Sequence, residues 1–153
     1  MEKIVQKILG VAGVSLVMAC QATPSLQLGQ AATPEQLAQW GELQSYELGS
    51  SRLRLIPGRP EDGQGTYLLN AQGVVGISRN ELTVAHATEE QVRTAAAQAG
   101  PAPVSMQYFE PTGTTVLRYA DFQQAVQSLE ALKTSLPKAT VRLPVQFSKP
   151  VPY

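Results

Sequence analysis

The chain has 153 residues, with 12 Lys+Arg against 12 Asp+Glu, one His and one Cys. That length suits one domain with short appendages, and zero formal charge argues against a nucleic-acid partner, which would need a basic surplus. A single Cys excludes an intrachain disulfide framework, and with one His it is too little for a thiolate/imidazole zinc cage, while 43% hydrophobic residues are enough for a core.

The first element in chain order is an address. Lys3 and Lys7 precede an uncharged apolar run from Ile8 to Ala19. A short basic start before such a run is the pattern of a secretory signal peptide, expected here over residues 1–19, and the run is too short to span a bilayer. A buried helix is the alternative for this segment. The run ends in Val17-Met18-Ala19-Cys20, which resembles the lipobox of bacterial lipoproteins. The resemblance implies cleavage before Cys20, a diacylglycerol on its sulfur and an acylated amino group. Two or three acyl chains anchor a protein lastingly where one does not. The expected location is therefore the cell membrane or outer membrane, and Gln21 leans toward the outer one. Removing residues 1–19 takes away two lysines and one glutamate, which tips the balance slightly acidic.

Residues 20–32 carry no charge and contain Pro24 and Gly29. They are expected as the lipidated Cys and a flexible tether reaching about 40 Å when extended. Thr33-Pro34-Glu35-Gln36 is a capping box with Pro at the first helical position, so a short helix starts there and stops at Gly41. Trp40 is expected as a packing anchor. A strand near 51–56 follows, then a Gly/Pro-rich loop, then a hairpin of Thr66–Leu69 and Val74–Ile77 around Asn70-Ala71-Gln72-Gly73. Residues 33–79 thus form a helix plus strands expected to pack on the main domain. Arg52, Arg54 and Arg59 read better as a solvated edge-strand face than as a basic patch.

From residue 80 the periodicity strengthens. A strand over 81–86 leads to the capping box Thr88-Glu89-Glu90-Gln91 and a helix with Val92, Ala95, Ala96 and Ala99 on one face. Val104 to Phe109 alternates as a strand, Glu110-Pro111-Thr112-Gly113 turns, and Thr114–Tyr119 returns. Asp121 caps a helix striped with Phe122, Ala125, Val126, Leu129, Leu132 and Leu136, and Pro137 ends it. Val141, Leu143, Val145 and Phe147 then alternate as a fourth strand, with Pro144 fitting only an edge or a bulge. Strand, helix, strand, strand, helix, strand is the split βαβ, or ferredoxin-like, plan, so the fold class expected is α+β. The sheet face away from the helices would carry Thr83, Ser105, Gln107, Phe109, Arg118, Arg142 and Gln146.

Chemistry is sparse. His86 has no nucleophile in a recognisable motif and is expected to be structural, and Gly63-Gln64-Gly65 lacks the strand and helix of a phosphate loop. No catalytic residue, metal or cofactor is expected, and the chain is read as a non-enzyme. The tail Ser148-Lys149-Pro150-Val151-Pro152-Tyr153 favours an extended form.

Asn80-Glu81-Leu82-Thr83-Val84, the helix from Thr88, the turn at Pro111-Thr112-Gly113, the helix from Phe122 and Ala139-Thr140-Val141-Arg142 together resemble the propeptide-like inhibitors of subtilisin-type serine proteases. The resemblance covers 80–153. It implies a ferredoxin-like fold, docking through the open sheet face with Phe109, and a tail with Pro150, Val151, Pro152 and Tyr153 lying in the protease cleft. The function expected is a membrane-anchored lipoprotein that binds, and inhibits or helps fold, a subtilisin-like protease. The alternative is a noncatalytic envelope lipoprotein that binds another envelope protein as an assembly or scaffold factor.

Overall fold

The computed structural model describes residues 25–148. The signal segment, Cys20 and the tail residues Pro150, Val151, Pro152 and Tyr153 lie outside the described residues. The described residues are α+β, with three α-helices and two four-stranded antiparallel sheets.

Local chemistry fixes the helices. In α1 (Pro34–Trp40) the Thr33 side chain accepts from the Gln36 N–H, the Gln36 side chain accepts from the Thr33 N–H, and Gly41 at φ 65 ends the helix. The same reciprocal pair, Thr88 with Gln91, opens α2 (Glu89–Gln98). Asp121 accepts from the Gln124 N–H at 2.8 Å to start α3 (Phe122–Ser135). Each box satisfies N–H groups that a helix start leaves free.

The first sheet is a meander, β1 (Ser45–Leu48), β2 (Ser51–Leu55), β3 (Thr66–Leu69) and β4 (Val75–Ser78), in that order. Strand β1 has no counterpart in the sequence reading, since Tyr46 and Leu48 are its only apolar positions. Its place is decided from afar: the Tyr46 ring meets Phe122 edge-on at 5.2 Å. Because β1 pairs with β2, the latter is not an edge strand, and Arg52 is tied across the ladder to Glu47. The second sheet holds β5 (Glu81–Ala85), β6 (Ser105–Phe109), β7 (Thr114–Arg118) and β8 (Thr140–Arg142), in the order β6-β7-β5-β8.

Three apolar clusters set the layers. Leu82, Val84 and Leu117 of the second sheet pack on Val92 and Ala96 of α2 and on Ala125, Leu129 and Leu132 of α3. Phe122 and Val126 of α3 reach the other way, onto Leu53 and Leu68 of the first sheet. The far face of the first sheet, with Ile56, Leu69 and Val75, is covered by Leu37 and Trp40 of α1 and by Leu26 and Leu28. Trp40 is thus a half-buried packing group. The order is second sheet, helices, first sheet, then α1 with the N-terminal segment.

Two expectations change here. The part of the expected tether within the described residues, 25–32, is docked. Gly29 N–H donates to the Val75 carbonyl, Val75 N–H to Gln30 and Ala32 N–H to Gly73, each at 2.9 Å. Leu26 and Leu28 have apolar surface to bury, and the β4 edge has backbone groups to pair. The strand expected over 141–147 is split. Only Thr140–Arg142 pairs with β5, and Gln146 instead exchanges two 2.8 Å backbone hydrogen bonds with Ile77 of β4. Pro144 brings no N–H to a ladder, and Val145 and Phe147 bury against the first sheet's cluster. Residues 29–32 and 146 therefore share the outer edge of β4.

Candidate functional site

Helices cover one face of the second sheet, and the other is open. Its register builds three cross-strand rungs. Gln107, Val116, Thr83 and Arg142 form one, Phe109, Thr114, Ala85 and Thr140 a second, and Ser105, Arg118 and Glu81 a third. Period-two geometry puts the members of each rung on the same side, away from Leu82, Val84 and Leu117. Arg118 Nε donates to Glu81 Oε1 at 2.8 Å, which pairs the charge at that end. The Phe109 rung has no charge, and Phe109 is 40% exposed. Val104, just before β6, is another large apolar side chain left in solvent.

Of the face expected from sequence, Thr83, Ser105, Gln107, Phe109, Arg118 and Arg142 lie on these rungs. Gln146 does not, because the chain leaves the sheet at Leu143 and carries it to β4. Val116 was missed. It stands at the centre of the face, half-buried, but in sequence it adjoins Leu117, so alternation alone cannot say which of the two points inward.

His86 lies at the rim. It is exposed, its φ of 62 turns the chain from β5 toward α2, and its Nδ1 stands 3.3 Å from the Thr140 hydroxyl. No carboxylate bonds the ring among the described residues, and the Thr140 hydroxyl is its hydrogen-bond partner there. Arg52 and Arg54 share one face of β2, where Arg52 is paired with Glu47 and Arg54 stands opposite Leu69, while Arg59 lies in the loop before β3.

Elsewhere, Asp62 accepts from the Gln64 N–H and from Arg79, and these hold its carboxyl below the usual range. This pins the 58–65 loop to the end of β4. No group of three His, Cys, Asp or Glu among the described residues is placed to hold a metal ion, and no described helix is long and apolar enough to cross a membrane. No protein-family model, no curated protein and no solved structure matches the chain.

Proposed function

We propose that this chain is a noncatalytic, lipid-anchored envelope protein that works by binding another protein through the open face of its second sheet. The observation that carries the reading is the uncharged rung around Phe109, exposed on a sheet whose other face is fully used for packing. A large aromatic left in solvent on a rigid platform is the kind of group that anchors a protein interface. The lipobox-like Val17-Met18-Ala19-Cys20 supports the anchor.

The finer fold reading is that residues from Asn80 onward form a ferredoxin-like split βαβ unit. The antiparallel order β6-β7-β5-β8, with α2 between β5 and β6 and α3 between β7 and β8, supports it. That plan also favours a subtilisin-like protease as the partner, by the resemblance of this region to propeptide-like inhibitors.

The test uses a soluble form with Cys20 replaced and the signal segment removed, assayed against several subtilisin-type proteases. Inhibition abolished by Phe109→Asp assigns the face. Inhibition abolished only by deleting 148–153 assigns the tail. No inhibition by the intact form discards the protease. In cells, Cys20→Ser moves the protein out of the membrane fraction, and unchanged membrane association would contradict the anchor.

A further inference from the structure

A cavity of about 300 Å³ opens where the first sheet meets the start of α3. That volume is at the small end of ligand sites. Its wall holds hydrogen-bonding groups that the fold leaves unused. Asn80 is 5% exposed and sits at φ 58, a left-handed conformation. Its Oδ1 accepts from the Thr66 hydroxyl at 3.0 Å, while its amide N–H₂ donates to no group among the described residues. The Tyr46 hydroxyl is buried and also lacks a partner. A buried hydroxyl without a partner is costly and calls for an explanation, whereas the Asn80 amide nitrogen is not cut off from solvent in the cavity it lines.

The remaining groups give the site its sign. The Phe122 and Gln123 N–H groups are at the first two positions of a 14-residue helix and have no intrahelical acceptor. Both residues line the cavity, as does Arg59, which forms no ion pair among the described residues. Facing these donors is one carboxylate, Asp121, whose Oδ1 is already bonded to the Gln124 N–H. Its second oxygen is free to take a hydrogen bond. A bare anion would satisfy the donors but meet Asp121 unfavourably. A molecule with a carboxylate and a neighbouring ammonium or hydroxyl satisfies both.

From the unpaired Asn80 amide, the unpartnered Arg59 and the helix start beside Asp121, we infer that this cavity binds a small α-amino or α-hydroxy acid. The carboxylate faces Arg59, Asn80 and the Phe122–Gln123 amides, and the α-substituent donates to Asp121. Charge-assisted bonds of this kind are the strong ones.

The experiment is ¹H–¹⁵N NMR titration of the full chain with L-alanine, L-lactate, propionate and inorganic phosphate. Alanine or lactate is expected to shift the Phe122 and Gln123 amides and the Asn80 side-chain amide at millimolar concentration. Shifts by alanine alone identify an amino acid, and shifts by lactate as well identify the α-hydroxy acids. Propionate is expected to bind about tenfold more weakly, one hydrogen bond's worth. Arg59→Ala, in an exposed loop, is expected to weaken every acid about tenfold or more. Asp121→Ser keeps a capping hydroxyl and is expected to erase the preference over propionate. No shift with alanine and lactate, phosphate binding as tightly as alanine, or unchanged affinity in Arg59→Ala would each overturn the inference.

Discussion

The two sheets have equal strand numbers and the same antiparallel pairing, yet β4 and β6 live in different worlds. All four residues of β4, Val75 to Ser78, are buried. Along β6, Ser105 to Phe109, exposed and half-buried residues alternate. The first sheet lies between α3 and the N-terminal layer, and its last edge is closed by residues 29–32 and 146. The second sheet spends one face on the helices and leaves the other, with the β6 edge, to solvent. The first sheet is thus the part that holds the molecule together. The second has surface to offer a partner.

Four perturbations test this contrast, in falling order of expected effect. Phe122, 1% exposed, is the side chain by which α3 grips the first sheet. Phe122→Ala is expected to cost about 3–5 kcal/mol in urea unfolding. Loss of the single cooperative transition, with the second sheet outlasting the first, would show that this contact is what couples them. Gly76→Ala comes next. A Cβ there would stand 2.6 Å from the Phe147 ring, so the C-terminal strap must lift, at about 1–3 kcal/mol. Adding Phe147→Ala removes the ring clash and leaves the 3.1 Å approach to the Gln146 carbonyl, so Gly76→Ala should then cost less. Full additivity would mean the ring is not what the glycine accommodates.

The third perturbation is pH. Burial raises the Tyr46 and Tyr119 hydroxyls above their ordinary value near 10.0, with Asp121 adding to the first, while Gln44 and Ser128 respectively oppose the shift. The folded protein holds these protons more tightly than the unfolded chain does. Their stabilising contribution is therefore complete below about pH 10 and is lost as pH climbs through the raised values. Urea midpoints measured at rising alkaline pH should fall, and the double variant Tyr46→Phe, Tyr119→Phe should fall less. Equal slopes would assign the loss to other groups. The smallest effect belongs to the open face: Phe109→Asp should alter stability by no more than about 0.5 kcal/mol. A larger loss would mean that Phe109 is a packing residue and that the face is less open than its exposure says.

What was legible in the chain follows one physical line. The capping boxes at Thr33 and Thr88 and the cap at Asp121 involve residues three apart, so sequence alone places them, and the structure has all three. The apolar stripe Phe122, Ala125, Leu129, Leu132 was likewise readable, being one helix face. The hairpin around Asn70–Gly73 was found because its turn is local: the Asn70 side chain accepts from the Gln72 and Val74 N–H groups. Phe109 was placed on the open face because β6 alternates cleanly. Val116 was not, because its neighbour is equally apolar.

Beyond that range the sequence determined only propensities. That Val145 and Phe147 were apolar was plain, but which sheet would bury them depended on a slot beside Gly76 that exists only once β3 and β4 have paired. That Leu26 and Leu28 would leave the expected tether depended on a free β4 edge far along the chain. The cavity beside α3 is the same kind of fact, since Tyr46, Arg59, Asn80 and Asp121 come from four separate segments. The sequence by itself set the helix starts and the turns, because each rests on contacts within a few residues. The tertiary structure decided which edges closed, which face stayed open and which polar groups met, because those depend on surfaces that no single segment carries.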